Sequence, residues 1–202
     1  MKTIITSIAL LFFVSIIGQS QEFQKIDSII NAKVQPDHPG IAVGIIQDGK
    51  IVYERYRGLS NLQHQIAFDE KTRSNIASTA KQFTALMILK LSYENKLKLE
   101  DDIRKYLPNL YQNVKEEIKI RNLLNHTSGI RDYVELMSLE RPVWWKRFGL
   151  DNDDVLALLE KQQDLGFSPE SYKNYSNSNY NLLAEIIERV SGKSFNDLPM
   201  MS

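Results

Sequence analysis

Apolar residues first recur at helical spacing at Phe23, Ile26, Ile29 and Ile30, which predicts an amphipathic helix over residues 22–33. Pro36, Pro39 and Gly40 then break the chain. Ile41 to Ile46 and Ile51 to Tyr56 read as strands, and Asp48-Gly49 between them tolerates the positive φ of a tight hairpin turn. A loop is expected from there to about Ile76. From Ser78 to about Glu94 the apolar residues Phe83, Ala85, Leu86, Met87, Ile88, Leu89 and Leu91 occupy most sides of a helix, the pattern of a buried one. Shorter helical pieces are expected over 100–106 and 119–125. Another is expected over 152–163, where Val155, Leu156, Leu158 and Leu159 form a stripe. The last helix spans 178–191, with Leu182, Leu183, Ile186, Ile187 and Val190 inward and Gly192 where a C-terminal cap belongs. An early hairpin followed by helices predicts the α+β class.

The first twenty residues stand apart from this pattern. Lys2 is their only charge, and the apolar run from Ile4 to Ile17 is shorter than the roughly 20 residues a membrane span needs. Gly18 and Ser20 supply small residues before Gln21, so residues 1–20 read as a cleavable secretory signal peptide. The expected mature chain begins at or near Gln21 and is periplasmic or secreted, without a stable membrane anchor. There is no cysteine, which excludes disulfides, a thiol nucleophile and lipoprotein attachment. Lys+Arg and Asp+Glu balance at 25 each, so no net field invites nucleic acid.

Candidate chemistry begins at Ser78-Thr79-Ala80-Lys81. A serine hydroxyl is a poor nucleophile until a base takes its proton. Positions i and i+3 share a helix face, so the spacing carries the Lys81 amine towards the Ser78 oxygen. A lysine acts as a base only where burial or a nearby cation favours its neutral form. A chain of this length contains about one S-x-x-K by chance. This one differs by opening the most apolar helix. The second candidate is Tyr175-Ser176-Asn177: a tyrosine hydroxyl can relay protons and an asparagine amide can orient a lysine and a substrate carbonyl. Tyr-x-Asn also occurs at Tyr93, Tyr111 and Tyr172, but only Tyr175 lies in a polar loop running into a strongly amphipathic helix. The plain alternative is that Ser176, Asn177 or Ser178 caps that helix. His38, His64 and His126 show no metal-ligand spacing and read as structural or surface residues, with His126-Thr-Ser-Gly129 as a turn ending a helix. Trp144-Trp145 reads as packing.

In this order the motifs resemble the serine β-lactamase and penicillin-binding protein superfamily, whose S-x-x-K is matched by Ile76-Ala-Ser-Thr-Ala-Lys-Gln-Phe-Thr-Ala85. Tyr175-Ser-Asn177 is similar to the Tyr-x-Asn of class C enzymes and D,D-peptidases. Further family-like stretches are Pro39-Gly-Ile-Ala-Val43, Leu99-Glu-Asp-Asp-Ile103, Tyr106-Leu-Pro108 and Leu123-Leu-Asn-His-Thr-Ser-Gly-Ile130. The resemblance implies an antiparallel sheet flanked by helices, with a helical subdomain beside it. It implies that Ser78 attacks a carbonyl to form an acyl-enzyme, that Lys81 and Tyr175 share the proton transfers, and that Asn177 holds the substrate. Small-molecule or cell-wall peptide substrates are implied: β-lactams, D-alanyl peptides or simple esters. No metal or organic cofactor is expected.

The superfamily's third motif, Lys-Thr-Gly or His-x-Gly on a late strand, has no counterpart after Asn177, and His38-Pro39-Gly40 fits the letters but precedes the first strand. On this reading residues 21–202 form a partial, C-terminally truncated domain lacking the late sheet strands. Poor turnover is the corresponding expectation, because that strand supplies a donor to the developing oxyanion. Two other readings stay open: a covalent β-lactam- or peptide-binding sensor module, and an inactive relative.

Overall fold

A computed structural model describes residues 23–140 and 150–198. The signal-peptide reading of residues 1–20 and Trp144-Trp145 lie outside the described residues. Among these residues no helix is long and apolar enough to cross a membrane. The chain divides into two compact units, up to Asn75 and from Ile76.

The first unit holds helix α1 (residues 23–33) and two antiparallel hairpins. β1 (Ile41–Gln47) pairs with β2 (Lys50–Arg57), closing at Gln47 and Lys50. Asp48 at φ 50° and Gly49 at φ 75° form the two-residue turn, both in the conformation that matches the twist of the flanking strands. β3 (Leu59–Asn61) and β4 (Ile66–Ala67) form a second, short pair within the stretch expected to be loop. α1 is tied to β2 through Phe23 against Tyr53, ring centroids 5.1 Å apart, and through the Tyr53 hydroxyl donating to Asp27 at 2.9 Å.

The second unit is helical and contains the main core. A 3-10 turn (Ala77–Ala80) leads into α2 (Lys81–Tyr93). α3 (Ile120–Asn125), α4 (Tyr133–Glu140), α5 (Asn152–Glu160) and α6 (Asn177–Ser191) follow. α6 is the central element: it packs against α2, α3 and α5. Its Leu182, Leu183, Ile186 and Ile187 are fully buried beside Ile88, Leu123 and Leu159. The fold is thus α+β with small antiparallel sheets, as the element order predicts.

Two sequence expectations differ from the structure for local reasons, and one helix has no sequence expectation at all. The helix expected over 100–106 shrinks to a 3-10 turn at Ile103–Lys105, because Asp102 bridges to Lys119 and the Ile103 N–H donates to the Ile118 carbonyl at 2.8 Å. α4 carries no stripe strong enough to announce it. α2 is not buried all round: Thr84, Met87, Ile88 and Leu91 are buried, while Leu86 and Leu89 are each 48% exposed.

Candidate active site

Ser78 sits in the 3-10 turn, not in the first turn of an α-helix, since the α-helix proper begins at Lys81. The residue before it, Ala77, has φ 48°, a left-handed conformation that costs a non-glycine residue about 1–2 kcal/mol. Strain of this kind persists only where the surroundings over-determine it. Ser78 is exposed, and Lys81, three residues on, donates from Nζ to its Oγ at 3.1 Å.

The other half of the cluster arrives at the N-terminus of α6, and the turn after α3 positions it. α3 ends at His126, left-handed at φ 60° and ψ 38°. The His126, Thr127 and Gly129 carbonyls then accept from the N–H groups of Asn174 (3.0 Å), Glu170 (2.9 Å) and Gly166 (2.8 Å). The segment leading to Tyr175 is therefore laid along residues 126–129. Gly129 is required there: at φ 78° a Cβ would lie 2.0 Å from the Phe167 carbonyl oxygen. The turn read as a helix terminator is also the template for the loop that delivers Tyr175.

The structure brings together all four residues singled out by sequence. Tyr175 Oη is 2.9 Å from Ser78 Oγ, and Lys81 Nζ donates to Asn177 Oδ1 at 3.0 Å. Lys81 Nζ also lies 5.2 Å from the centre of the Tyr175 ring and 5.7 Å from that of Tyr180. Partial burial pushes the Tyr175 phenol up, but hydrogen bonds from Lys81 and Ser78 and the charge of Lys81 outweigh it and hold its pKa below the usual tyrosine value. The other tyrosines of the Tyr-x-Asn type stand elsewhere: Tyr93 and Tyr172 are exposed, and Tyr111 is buried in the core.

Two residues that sequence reasoning left out of the cluster adjoin it. His126 packs its ring 4.5 Å from that of Tyr175 and accepts the Ser176 N–H at Nδ1, 3.2 Å. Nδ1 is therefore the unprotonated nitrogen. Burial, then the charges of Lys81 and Lys173, hold the His126 pKa below the usual histidine value. Asp132, 6% exposed, accepts from the Asn177 backbone N–H at 2.7 Å and from its side-chain Nδ2 at 2.8 Å. Only the turn motif ahead of Asp132 hinted at this, since a lone Asp before Tyr133 has no pattern of its own. The capping alternative also resolves. Ser176 is the N-cap residue of α6, but its buried hydroxyl makes no hydrogen bond. The Ser178 hydroxyl instead donates to the Arg131 carbonyl (2.7 Å) and accepts the Tyr133 N–H (2.8 Å), fastening the loop before α4 to α6. Among the described residues no group of three or more histidine and acidic side chains is placed to hold a metal ion.

The family model described as Beta-lactamase matches residues 26–199, and the chain belongs to that family. It is 35% identical over 176 residues to protein flp of Staphylococcus aureus, covering 85% of this chain and 34% of that protein. It is 31% identical over 172 residues to a D-aminopeptidase of Brucella anthropi, covering 81% of this chain and 31% of that enzyme. The chain thus spans about a third of the length of these relatives. Among solved structures, an octameric penicillin-binding protein homologue from Pyrococcus abyssi superposes with a TM-score of 0.69 at 28% identity, over 87% of this chain and 40% of that one.

Proposed function

We propose that this chain carries the acylation centre of a serine hydrolase, with Ser78 as the nucleophile. The observation that carries the reading is an exposed serine hydroxyl hydrogen-bonded both to a tyrosine hydroxyl and to a lysine amine, at 2.9 and 3.1 Å. Tyr175, as the phenolate that the Lys81 ammonium favours, takes the Ser78 Oγ proton as Oγ bonds to the substrate carbonyl carbon and the C=O electron pair moves onto oxygen. The tetrahedral intermediate collapses when the bond to the leaving nitrogen or oxygen breaks, and Tyr175 returns the proton to that atom. The product is an acyl ester on Ser78, which water then hydrolyses. Lys81 shares these transfers and holds Tyr175 in place, and Asn177 contributes its amide to Lys81 and to the substrate.

The substrate class is a β-lactam, a D-alanyl peptide or a simple ester. A D-aminopeptidase and a penicillin-binding protein homologue among the similar proteins support acyl groups of cell-wall type. Export is part of the same proposal, supported by the apolar start of the sequence, and N-terminal sequencing of exported protein should give Gln21.

The test is covalent labelling of the purified chain by a fluorescent penicillin and by a fluorophosphonate, with the modified peptide located by mass spectrometry. Modification of Ser78, abolished in Ser78→Ala, is the expected result. Undiminished labelling of Ser78→Ala overturns the assignment. A stoichiometric burst of acylation without turnover would assign the chain to slow covalent binding rather than hydrolysis.

A further inference from the structure

Asp132 is a buried carboxylate with three N–H donors around it. Oδ2 accepts both hydrogen bonds from Asn177, at 2.7 Å from the backbone and 2.8 Å from Nδ2, and Oδ1 accepts the Val134 N–H at 2.8 Å. A carboxylate of this kind only accepts, whereas an asparagine amide has a donating end and an accepting end of nearly the same shape. The environment decides which end points where. With the Asn177 amide turned over, its oxygen would face Asp132 Oδ2 and its NH2 group would face Lys81 Nζ. Both contacts would then set like against like. Asp132 thereby allows one orientation, the one in which Asn177 Oδ1 receives Lys81 Nζ at 3.0 Å. The same carboxylate takes the first N–H of α6, a position where negative charge is favoured by the helix dipole and where Ser176 provides no side-chain cap.

We propose that Asp132 is a positioning residue of the acylation site: it fixes the amide of Asn177, and through it the place of the Lys81 amine beside Ser78. This role rests on the reading of Ser78 as nucleophile.

Capping α6 is a structural role that Asp132 would have in any case, so the experiment must separate the two. The rate of Ser78 labelling by a fluorophosphonate is measured for Asp132→Leu, Asn177→Ala and the double variant of the whole chain, with circular dichroism as the check on folding. Asp132→Leu is expected to slow labelling by about tenfold, and by less than about twofold when Asn177 is already alanine, because residues in one hydrogen-bond network lose their effects non-additively. Asp132→Asn, whose amide oxygen still accepts from Asn177 while its NH2 end loses the Val134 N–H, is expected to recover part of the rate. Equal slowing by Asp132→Leu in both backgrounds overturns the positioning role.

If Asp132→Leu does not fold, an exchange decides. Asn177→Asp alone sets two carboxylates against each other. Adding Asp132→Asn restores the side-chain donor–acceptor pair with an oxygen towards Lys81, although its NH2 no longer accepts the backbone N–H of residue 177, so the double exchange should label about twofold or more faster than Asn177→Asp. Labelling no faster than Asn177→Asp overturns the role. A parent chain not modified at Ser78 overturns the acyl-transfer reading and this role with it, whereas modification at Ser78 with additive losses overturns this role alone.

Discussion

α2 and α6 pack against each other and carry the two halves of the Ser78–Lys81–Tyr175–Asn177 cluster, yet they use apolar side chains in opposite ways. α6 gathers Leu182, Leu183, Ile186 and Ile187 into one stripe at zero exposure. α2 spreads its apolar residues round the helix, burying Met87, Ile88 and Leu91 and leaving Leu86 and Leu89 half-exposed. A segregated stripe states its own orientation, because only one rotation of the helix buries it. An unsegregated helix states that it is apolar and leaves its rotation to its neighbours. The Tyr175–Asn177 half of the site therefore stands on the better-anchored platform.

The comparison is most exposed to a truncation in the stripe of α6. Leu183→Ala should cost about 2–5 kcal/mol in urea unfolding, the range for a fully buried leucine. A loss under 1 kcal/mol would show that α6 is less anchored than its burial implies. Next is the tyrosine at the head of α6 against the one at the tail of α2. Tyr175→Phe should lower the Ser78 labelling rate by about 10²-fold, a typical general-base contribution. Tyr93→Phe, at a position 89% exposed, should leave the rate unchanged.

A smaller effect concerns pH. The folded-state pKa of His126 lies below its ordinary value of 6.5, so between the two the unfolded chain binds more protons. Stability should therefore be full above pH 6.5, fall as pH drops from there, and level off below the folded pKa. The midpoint of urea unfolding measured from pH 8 to pH 5 checks this. His126→Gln, which cannot titrate, should flatten the profile. The smallest effect returns to α2: Leu86→Ala and Leu89→Ala should each change stability by no more than about 0.5 kcal/mol, as substitutions outside a packed core do.

What was legible in the sequence follows the same division. Features set by a few adjacent residues were readable: the Asp48-Gly49 turn, the stop at Gly192 and the i, i+3 relation of Ser78 to Lys81. The choice of Tyr175 over Tyr93, Tyr111 and Tyr172 was readable because α6 announces itself. The left-handed Ala77 that opens the 3-10 turn of Ser78 had no signal, since alanine is an ordinary helix residue. Asp132 had only the turn motif ahead of it: its partner Asn177 is 45 residues away, and nothing else near it in sequence distinguishes it from a surface aspartate. The burial of α2 was overestimated because an apolar pattern counts residues willing to be covered, not the surfaces available to cover them.

The hydrogen bonds that join Ser78 to Tyr175 and Lys81 to Asn177 close loops of 97 and 96 residues. On a chain growing at about 5–20 residues per second, the serine emerges roughly 5–20 s before the tyrosine. Through that interval it is a hydroxyl without its hydrogen bond to Tyr175. The reactivity proposed for it is therefore gained late, when the N-terminus of α6 docks beside the turn before α2. Trapping by an acylating probe would then time the arrival of the folded state, and a stalled or misfolded chain would stay chemically silent.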